Sequence, residues 1–227
     1  MALLILFTIY HVNSQEYFNA VCQQGVEHSC HIKLNQMRVT QRKHDLTLIN
    51  YEPSQFGVNY CHKIIIENQV MYYVPNLICD SFKFVGSLHI ISTGLKEVTY
   101  GDMRNFTSLT DLDLSDNDIE MIAKYVFYSN TQLKSINLKG NRLRQIQDGT
   151  FDNLKELKSL NLLSNSCVDF SFEELYIPSA LLNFLTSKCR GESTGDTLLP
   201  IWQGFEKVFT SINAQQQKQK SLSELIQ

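Results

Sequence analysis

Leu109 to Asn117 reads LTDLDLSDN, Leu133 to Asn141 reads LKSINLKGN, and Leu157 to Asn165 reads LKSLNLLSN. The three phrases share the order L-x-x-[LI]-x-L-x-x-N and recur every 24 residues. Leu112, Ile136 and Leu160 therefore fall in one column, and Leu114, Leu138 and Leu162 in another. Apolar residues at the fourth and sixth positions alternate with mostly polar ones at the third, fifth and seventh, which is the period of a strand with one face on a core. Copies of one strand at fixed spacing pair in parallel. The Asn at the ninth position stands where the chain leaves the strand, and its amide can bond backbone groups of adjacent copies that burial would otherwise leave unpaired. Ile119 or Leu143, Ile122 or Ile146, and Phe127 or Phe151 keep the same offsets and close the far side of each copy. The apolar positions of one copy gain roughly 10 to 20 kcal/mol on burial, against about 1 to 2 kcal/mol for each residue ordered. No copy stands alone, so the copies fold as one solenoid.

The register extends upstream. Val85, Leu88, Ile90, Leu95, Val98, Met103 and Phe106 occupy the core positions of one earlier coil, and Cys61, Ile64, Ile66, Met71, Val74, Cys79 and Phe82 those of another. Five coils are expected over residues 61–166, starting at Cys61, Val85, Leu109, Leu133 and Leu157, with Gln69 and Thr93 in place of the first two Asn. Residues 15–60 read as an N-terminal cap, in which Leu46-Thr47-Leu48 alternates as the start of the parallel sheet. Residues 167–190 read as a C-terminal cap. Within it, Ile177 to Leu185 suits a short helix with Pro178 in its first turn and Leu181, Leu182 and Leu185 toward the core. Residues 191–227 form a linker and an amphipathic tail helix carrying Trp202, Phe205, Phe209 and Ile212. The Gln- and Lys-rich run from Ala214 to Lys220 lacks apolar seam residues, so the tail supports a weak oligomer at most.

Met1 to Tyr10 reads MALLILFTIY, too short to span a bilayer, which takes about 20 residues, and suited to a signal-peptide core. Residues 1–14 are expected to be removed after Ser14, leaving a secreted, extracellular protein with no membrane span. Six cysteines follow, an even number that implies disulfides in that compartment. Cys22 and Cys30 precede every coil and Cys167 and Cys189 follow the last strand, so each pair is expected to close a cap. Cys61 and Cys79 share one coil at inward positions. They either bridge that coil or stay as buried thiols, and a crossing to Cys22 or Cys30 is a further arrangement. Asn105-Phe106-Thr107 is the only glycosylation sequon, and Asn105 falls on the convex side, suited to an exposed glycan.

A net charge of -3 without a basic stripe argues against nucleic acid as a partner. His28, His31, Cys22 and Cys30 have the composition of a metal cluster, but cysteine pairing in a cap accounts for them better, and no metal or other cofactor is expected. Asp111, Asp113, Asp116 and Asp118 crowd one coil, and His89 is expected beside Asp113 on the neighbouring strand, a minimal acid/base pair or a calcium site. No nucleophile elbow, metal-binding helix or phosphate loop accompanies them, and a solenoid strand face offers little water-excluded concavity. The chain is read as a non-enzyme.

This pattern is the leucine-rich-repeat signature in its 24-residue extracellular form. It implies an α/β solenoid: a right-handed coil with a parallel β-sheet on the concave face and disulfide-closed caps. His62-Lys63-Ile64-Ile65-Ile66, the run Val74-Pro75 to Ile78, Ser81-Phe82 and Val85, and Asn165-Ser166-Cys167 leading to Lys188-Cys189 resemble the secreted leucine-rich-repeat proteins of insects, including the mosquito leucine-rich-repeat immune proteins. That resemblance implies innate immune recognition. The immune members carry a long C-terminal coiled coil and additional linking cysteines, which this sequence does not match. An extracellular matrix or cell-surface adhesion or developmental protein is the alternative.

Strand alternation assigns the concave face, the expected contact with a protein partner. Its outward residues are Lys63, Ile65 and Glu67, then Ser87, His89 and Ile91, then Asp111, Asp113 and Ser115. Ser135, Asn137 and Lys139 follow, then Ser159, Asn161 and Leu163. Most are small or polar, as a solvated face requires. Ile65, Ile91 and Leu163 break that pattern, and the Asp residues concentrate acid at the centre. A partner with a basic centre and apolar flanks complements both features, with His89 adding pH sensitivity below about pH 6.5.

Overall fold

The computed structural model describes residues 17–23, 29–33, 38–40, 47–48, 61–75, 78, 82, 84–173 and 179–189; the strands before residue 61 are described by their backbone pairing alone. The leader, Cys79 and the tail lie outside the described residues, as do the readings placed on them. The chain divides into two units, Met1–Gly191 and Glu192–Gln227, the second wholly outside the described residues.

In chain order the strands are β1 Tyr17–Gln23, β2 Ser29–Lys33, β3 Thr47–Leu48, β4 Lys63–Glu67, β5 Ser87–Ile91, β6 Asp111–Asp113, β7 Met121–Ile122, β8 Ser135–Asn137, β9 Gln145–Ile146, β10 Ser159–Asn161 and β11 Ser171–Glu173. Two helices, α1 Tyr100–Met103 and α2 Ser179–Lys188, complete the described elements. Strands β4, β5, β6, β8 and β10 pair in parallel with residue i opposite residue i+24, as Lys63 with Ser87 and Asp111 with Ser135. Five strands are thus separated by four full turns of a parallel-strand solenoid. The coils are stitched at their second position, where the His62, Gly86, Thr110 and Lys134 carbonyls each accept two N–H groups from the next coil, at 2.8 to 3.1 Å.

The apolar columns are buried. Ile64, Leu88, Leu112, Ile136 and Leu160 are wholly inaccessible, as are Ile66, Ile90, Leu114, Leu138 and Leu162. Each such side chain contributes about 1.5 to 3 kcal/mol of transfer free energy. On the far side Phe127 and Phe151 stack with centroids 6.3 Å apart, while the short ladder of β7 and β9 joins the third and fourth coils there. The turn at α1 is held by Asp102, whose buried carboxylate accepts the Thr99 N–H at 2.7 Å and the Thr99 hydroxyl at 2.8 Å. Neither β7, β9 nor α1 was expected: two- and four-residue elements carry too little periodicity to stand out from the coil pattern.

Among the described residues the sheet order is β11-β10-β8-β6-β5-β4-β2-β1-β3. Thr47–Leu48 does not begin the parallel run; it pairs with β1, and β2 takes the place beside β4. β1 and β2 form an antiparallel hairpin in which Cys22 stands directly opposite Cys30. At the other end β11 runs antiparallel to β10 and ends the ladder. The expected disulfide Cys167–Cys189 is present, with Cα atoms 5.2 Å apart. Closing that 22-residue separation is worth about 3 kcal/mol by loop entropy. The Cys167 N–H donates to the Leu143 carbonyl and the Ile146 N–H to the Cys189 carbonyl, both at 2.9 Å, so the closed loop is fastened to the fourth coil. α2 starts just after Pro178 and buries Leu181, Leu182, Phe184 and Leu185 over that end.

Candidate binding face

What positions the face lies in the turn directly after each strand. Position eight of every coil has a left-handed backbone: Asn68, Ser92, Asp116, Gly140 and Ser164, with φ between 53° and 68°. Each of the first four donates its N–H to the position-seven carbonyl of the next coil, at 2.8 to 3.3 Å. This column passed unremarked in the sequence because its residues differ, yet Asn, Asp and Gly share tolerance of that conformation. The ninth position then turns inward. The Asn117 amide donates to the Ile90, Leu114 and Ser115 carbonyls at 2.7, 3.0 and 3.1 Å, while its oxygen accepts the Thr93 N–H, the Leu95 N–H and the Thr93 hydroxyl at 2.9 to 3.1 Å. Asn141 and Asn165 repeat the arrangement one and two coils on. Thr93, standing in for an Asn, is buried and bonded to Met71 O and to Asn117.

Above that frame lie the expected contact residues. Lys63, Ile65, Ser87, His89, Ile91, Asp111, Asp113, Asn137, Asn161 and Leu163 are half-buried on one sheet face, and Glu67 and Lys139 are exposed. Ser115 departs from the expectation, being only 6% exposed. The chain bends after β6, the Ser115 N–H donates to Asp113 Oδ1 at 2.9 Å, and its carbonyl accepts from Ser92 and Asn117, which draws the residue into the turn.

The centre of the face differs from expectation in a second way. His89 is the backbone partner of Asp113, but its imidazole bonds Asp111 instead, with Nε2 2.7 Å from Oδ2. The Ser87 hydroxyl donates to the same oxygen at 2.8 Å. The His89 hydrogen bond is the foremost influence holding the Asp111 carboxyl below its ordinary value of 3.8; hydroxyls of Ser87 and Ser135 and the His89 charge add to it, while burial opposes. Asp111 thereby ties β5, β6 and β8 together. Asp113 makes a second tie, accepting from Asn137 Nδ2 at 3.1 Å. Ser135 belongs to this group, a role visible only once its strand lies beside Asp111.

Ser87, His89 and Asp111 are the residue types of an acyl-transfer triad, but their arrangement is different. In a triad the imidazole takes the hydroxyl proton on one nitrogen and is oriented by the carboxylate through the other. Here one nitrogen, Nε2, faces both Ser87 Oγ at 3.0 Å and Asp111 Oδ2, and the serine proton is committed to the carboxylate. This geometry clamps strands and does not activate a nucleophile. Nor do the four aspartates converge on a cation, since Asp118 pairs with Arg142 at 2.9 Å and Asp116 is exposed in the turn.

Residues 107–166 match the family model described as leucine rich repeat, the same stretch whose strands, Asn column and inward leucines are set out above. The chain carries a leucine-rich-repeat domain. Among solved structures it is similar to one from the Toll–Spatzle complex, described as a molecular hub in Drosophila development and innate immunity, with 28% identity over 47% of this chain and 14% of that one and a TM-score of 0.45. Similarity extends to a TLR13–ssRNA13 complex, with 23% identity over 49% of this chain and 16% of that one and a TM-score of 0.47. A structure of the LRIM1/APL1C complex gives 18% identity over 66% of this chain and 31% of that one, with a TM-score of 0.47. The chain spans less than a third of the length of each. No curated protein matches it significantly by sequence. No helix among the described residues is long and apolar enough to cross a membrane.

Proposed function

We propose that this leucine-rich-repeat chain is a secreted recognition protein that binds another protein through its concave sheet, in innate immune defence. The observation that carries the reading is a face whose side chains are already tied to one another across three strands through Asp111 and Asp113, with Ile65, Ile91 and Leu163 left half-exposed beside the ties. Pre-ordered side chains lose little freedom on contact, so apolar burial there converts more fully into affinity. The charges still open to a partner lie outward of the clamp, at Glu67 and Lys139, and neither forms an ion pair among the described residues. A protein surface with apolar flanks, and with charges opposite to Glu67 and Lys139 beside them, fits this face. Entry into the secretory pathway is supported by Met1 to Tyr10, and pairing of Cys22 with Cys30 by their register, since directly opposed residues of an antiparallel pair lie within disulfide reach. The immune assignment rests on the motif resemblance of the first coils and the C-terminal cap.

Affinity capture from the source fluid with the mature protein tests this reading, with Ile91→Asp as the control variant. Ile91 is half-exposed, so the variant keeps its fold, and its captured partner should fall at least about tenfold, the equivalent of 1.4 kcal/mol. Undiminished capture by a folded Ile91→Asp protein removes the concave face from consideration. Lysine at Asp111 and Asp113 is the poorer test, because those carboxylates hold β5, β6 and β8 together and their loss perturbs the fold.

A further inference from the structure

The convex side of the second and third coils exposes three tyrosines: Tyr100, Tyr125 and Tyr128, at 45, 59 and 56% of their surface. Tyr125 and Tyr128 meet edge to face with centroids 6.1 Å apart. Tyr100 reaches from the second coil to the third, where its hydroxyl lies 3.4 Å from Ser129 Oγ. Three exposed tyrosines grouped on one side of the coils offer an aromatic surface that an attached group can cover. Asn105, half-buried, lies on the same side of the second coil. Ser129 follows Asn105 by 24 residues, so the two share one position in adjacent coils. Asn130 Nδ2 donates to the Met103 and Phe106 carbonyls at 3.0 and 2.9 Å, fastening the backbone on both sides of Asn105 to the coil that carries Tyr128. In the sequon itself Phe106 is wholly buried as an anchor and Thr107 is exposed.

We propose that Asn105 carries an N-linked glycan whose first sugars lie over Tyr100 and Tyr128, so that this convex patch is covered by the chain's own carbohydrate. The donor is a lipid-pyrophosphate-linked oligosaccharide. Asn105 Nδ2 forms a bond to C1 of its first sugar, the bond from C1 to the pyrophosphate oxygen breaks, and the amide proton leaves with the lipid pyrophosphate. The first sugar then sits within one coil spacing of the tyrosines. The electron-rich face of a phenol ring attracts the polarised C–H edge of a pyranose as it does other positive edges. With the convex patch occupied, the concave sheet remains the accessible protein-binding face.

The proposal rests on entry into the secretory pathway, so the test separates the two. The full chain is expressed in insect cells behind a heterologous secretion leader, beside the same chain relying on its own N-terminus. Absence of the second from the medium speaks against the secretory reading alone. Peptide mass spectrometry of the first should find glycan at Asn105, lost in Asn105→Gln and in Thr107→Ala. Nitration of the native proteins by tetranitromethane, with Tyr72 as internal standard, should modify Tyr100 and Tyr128 about threefold more slowly in the glycosylated form, a protection equivalent to about 0.7 kcal/mol. Enzymatic removal of the sugar from folded wild type should restore the faster rate, which covers the case of a variant that folds poorly. A bare Asn105 in the secreted protein, or equal nitration with and without the glycan, overturns the proposal.

Discussion

Asn117→Ala should be the most damaging single change in the Asn column, and the structure gives its size. The residue is 5% exposed and is the bonding partner of the buried Thr93 and Leu95 N–H groups of the preceding coil. Two of the carbonyls it serves have other donors, since Leu114 O also accepts from Asn141 and Ser115 O from Ser92. The loss is therefore dominated by two stranded N–H groups at roughly 1 to 3 kcal/mol each, or about 4 kcal/mol together. Asn165 does the same work at the end of the array, but it is half-buried and serves one N–H, that of Leu143, so Asn165→Ala should cost about 1 to 2 kcal/mol with water replacing part of the bonding. Urea unfolding followed by far-ultraviolet circular dichroism is the suitable assay, because the single tryptophan, Trp202, lies beyond the coils. At about 2 kcal/mol per molar urea, Asn117→Ala should lower the midpoint by about 2 M and Asn165→Ala by under 1 M. Equal shifts, or the reverse order, refute the assignment of the cost to stranded backbone donors.

Asp111→Asn should remove a contribution that depends on pH. The Asp111 carboxyl is held below its ordinary value of 3.8 by its bonds to His89 and the serine hydroxyls, so the folded state favours the ionised form. Its stabilisation is complete above about pH 4 and is lost as pH falls through the depressed folded value. The gap in urea midpoint between wild type and Asp111→Asn should shrink as pH falls below about 4; a gap that widens there contradicts the clamp. Gly140→Ala should cost about 1 to 2 kcal/mol, because the residue holds φ at 68° and an added Cβ meets Asp116 Oδ1. Thermal melting of Gly140→Ala in the Asp116→Ala background, measured against Asp116→Ala alone because Asp116 also holds a left-handed φ of 56°, separates the two causes: recovery of most of the loss assigns it to the contact, and no recovery assigns it to the backbone.

The solenoid was legible because three intact copies of one phrase state its period, and that period placed even the degenerate coils at Cys61 and Val85 in register. The Asn column and the C-terminal disulfide were legible for the same reason, since repeat position implies neighbourhood. Strand alternation placed the concave residues on one face but said nothing of bonds between them. His89 was assigned to Asp113 by strand register, whereas a side chain also reaches diagonally, and Ser87 and Ser135 drew the shared carboxylate to Asp111. Ser115 was placed outward by continuing alternation past Asp113, where β6 has already ended and the backbone is turning toward its left-handed residue. Asn130 was missed for the opposite reason: it sits in a column otherwise filled by Phe82, Phe106 and Leu154, where a polar residue has no pattern to announce it.

The direction in which the Asn side chains reach has a consequence for a chain made from its N-terminus. Asn117 serves Ile90 O, 27 residues earlier, and Asn141 and Asn165 reach back by the same distance to Leu114 and Leu138. A coil just released by the ribosome thus holds open carbonyl and N–H groups until its successor has been synthesised as far as its ninth residue. Each length of nascent chain is completed by the next, and a chain stalled between coils ends in a surface of unmet donors and acceptors. Arrival of the C-terminal segment stops the sequence without another coil. Asp169 Oδ1 takes the Ser164 N–H at 2.7 Å and Phe170 O takes the Leu162 N–H at 2.7 Å, in the two places where a sixth coil's backbone would otherwise be required.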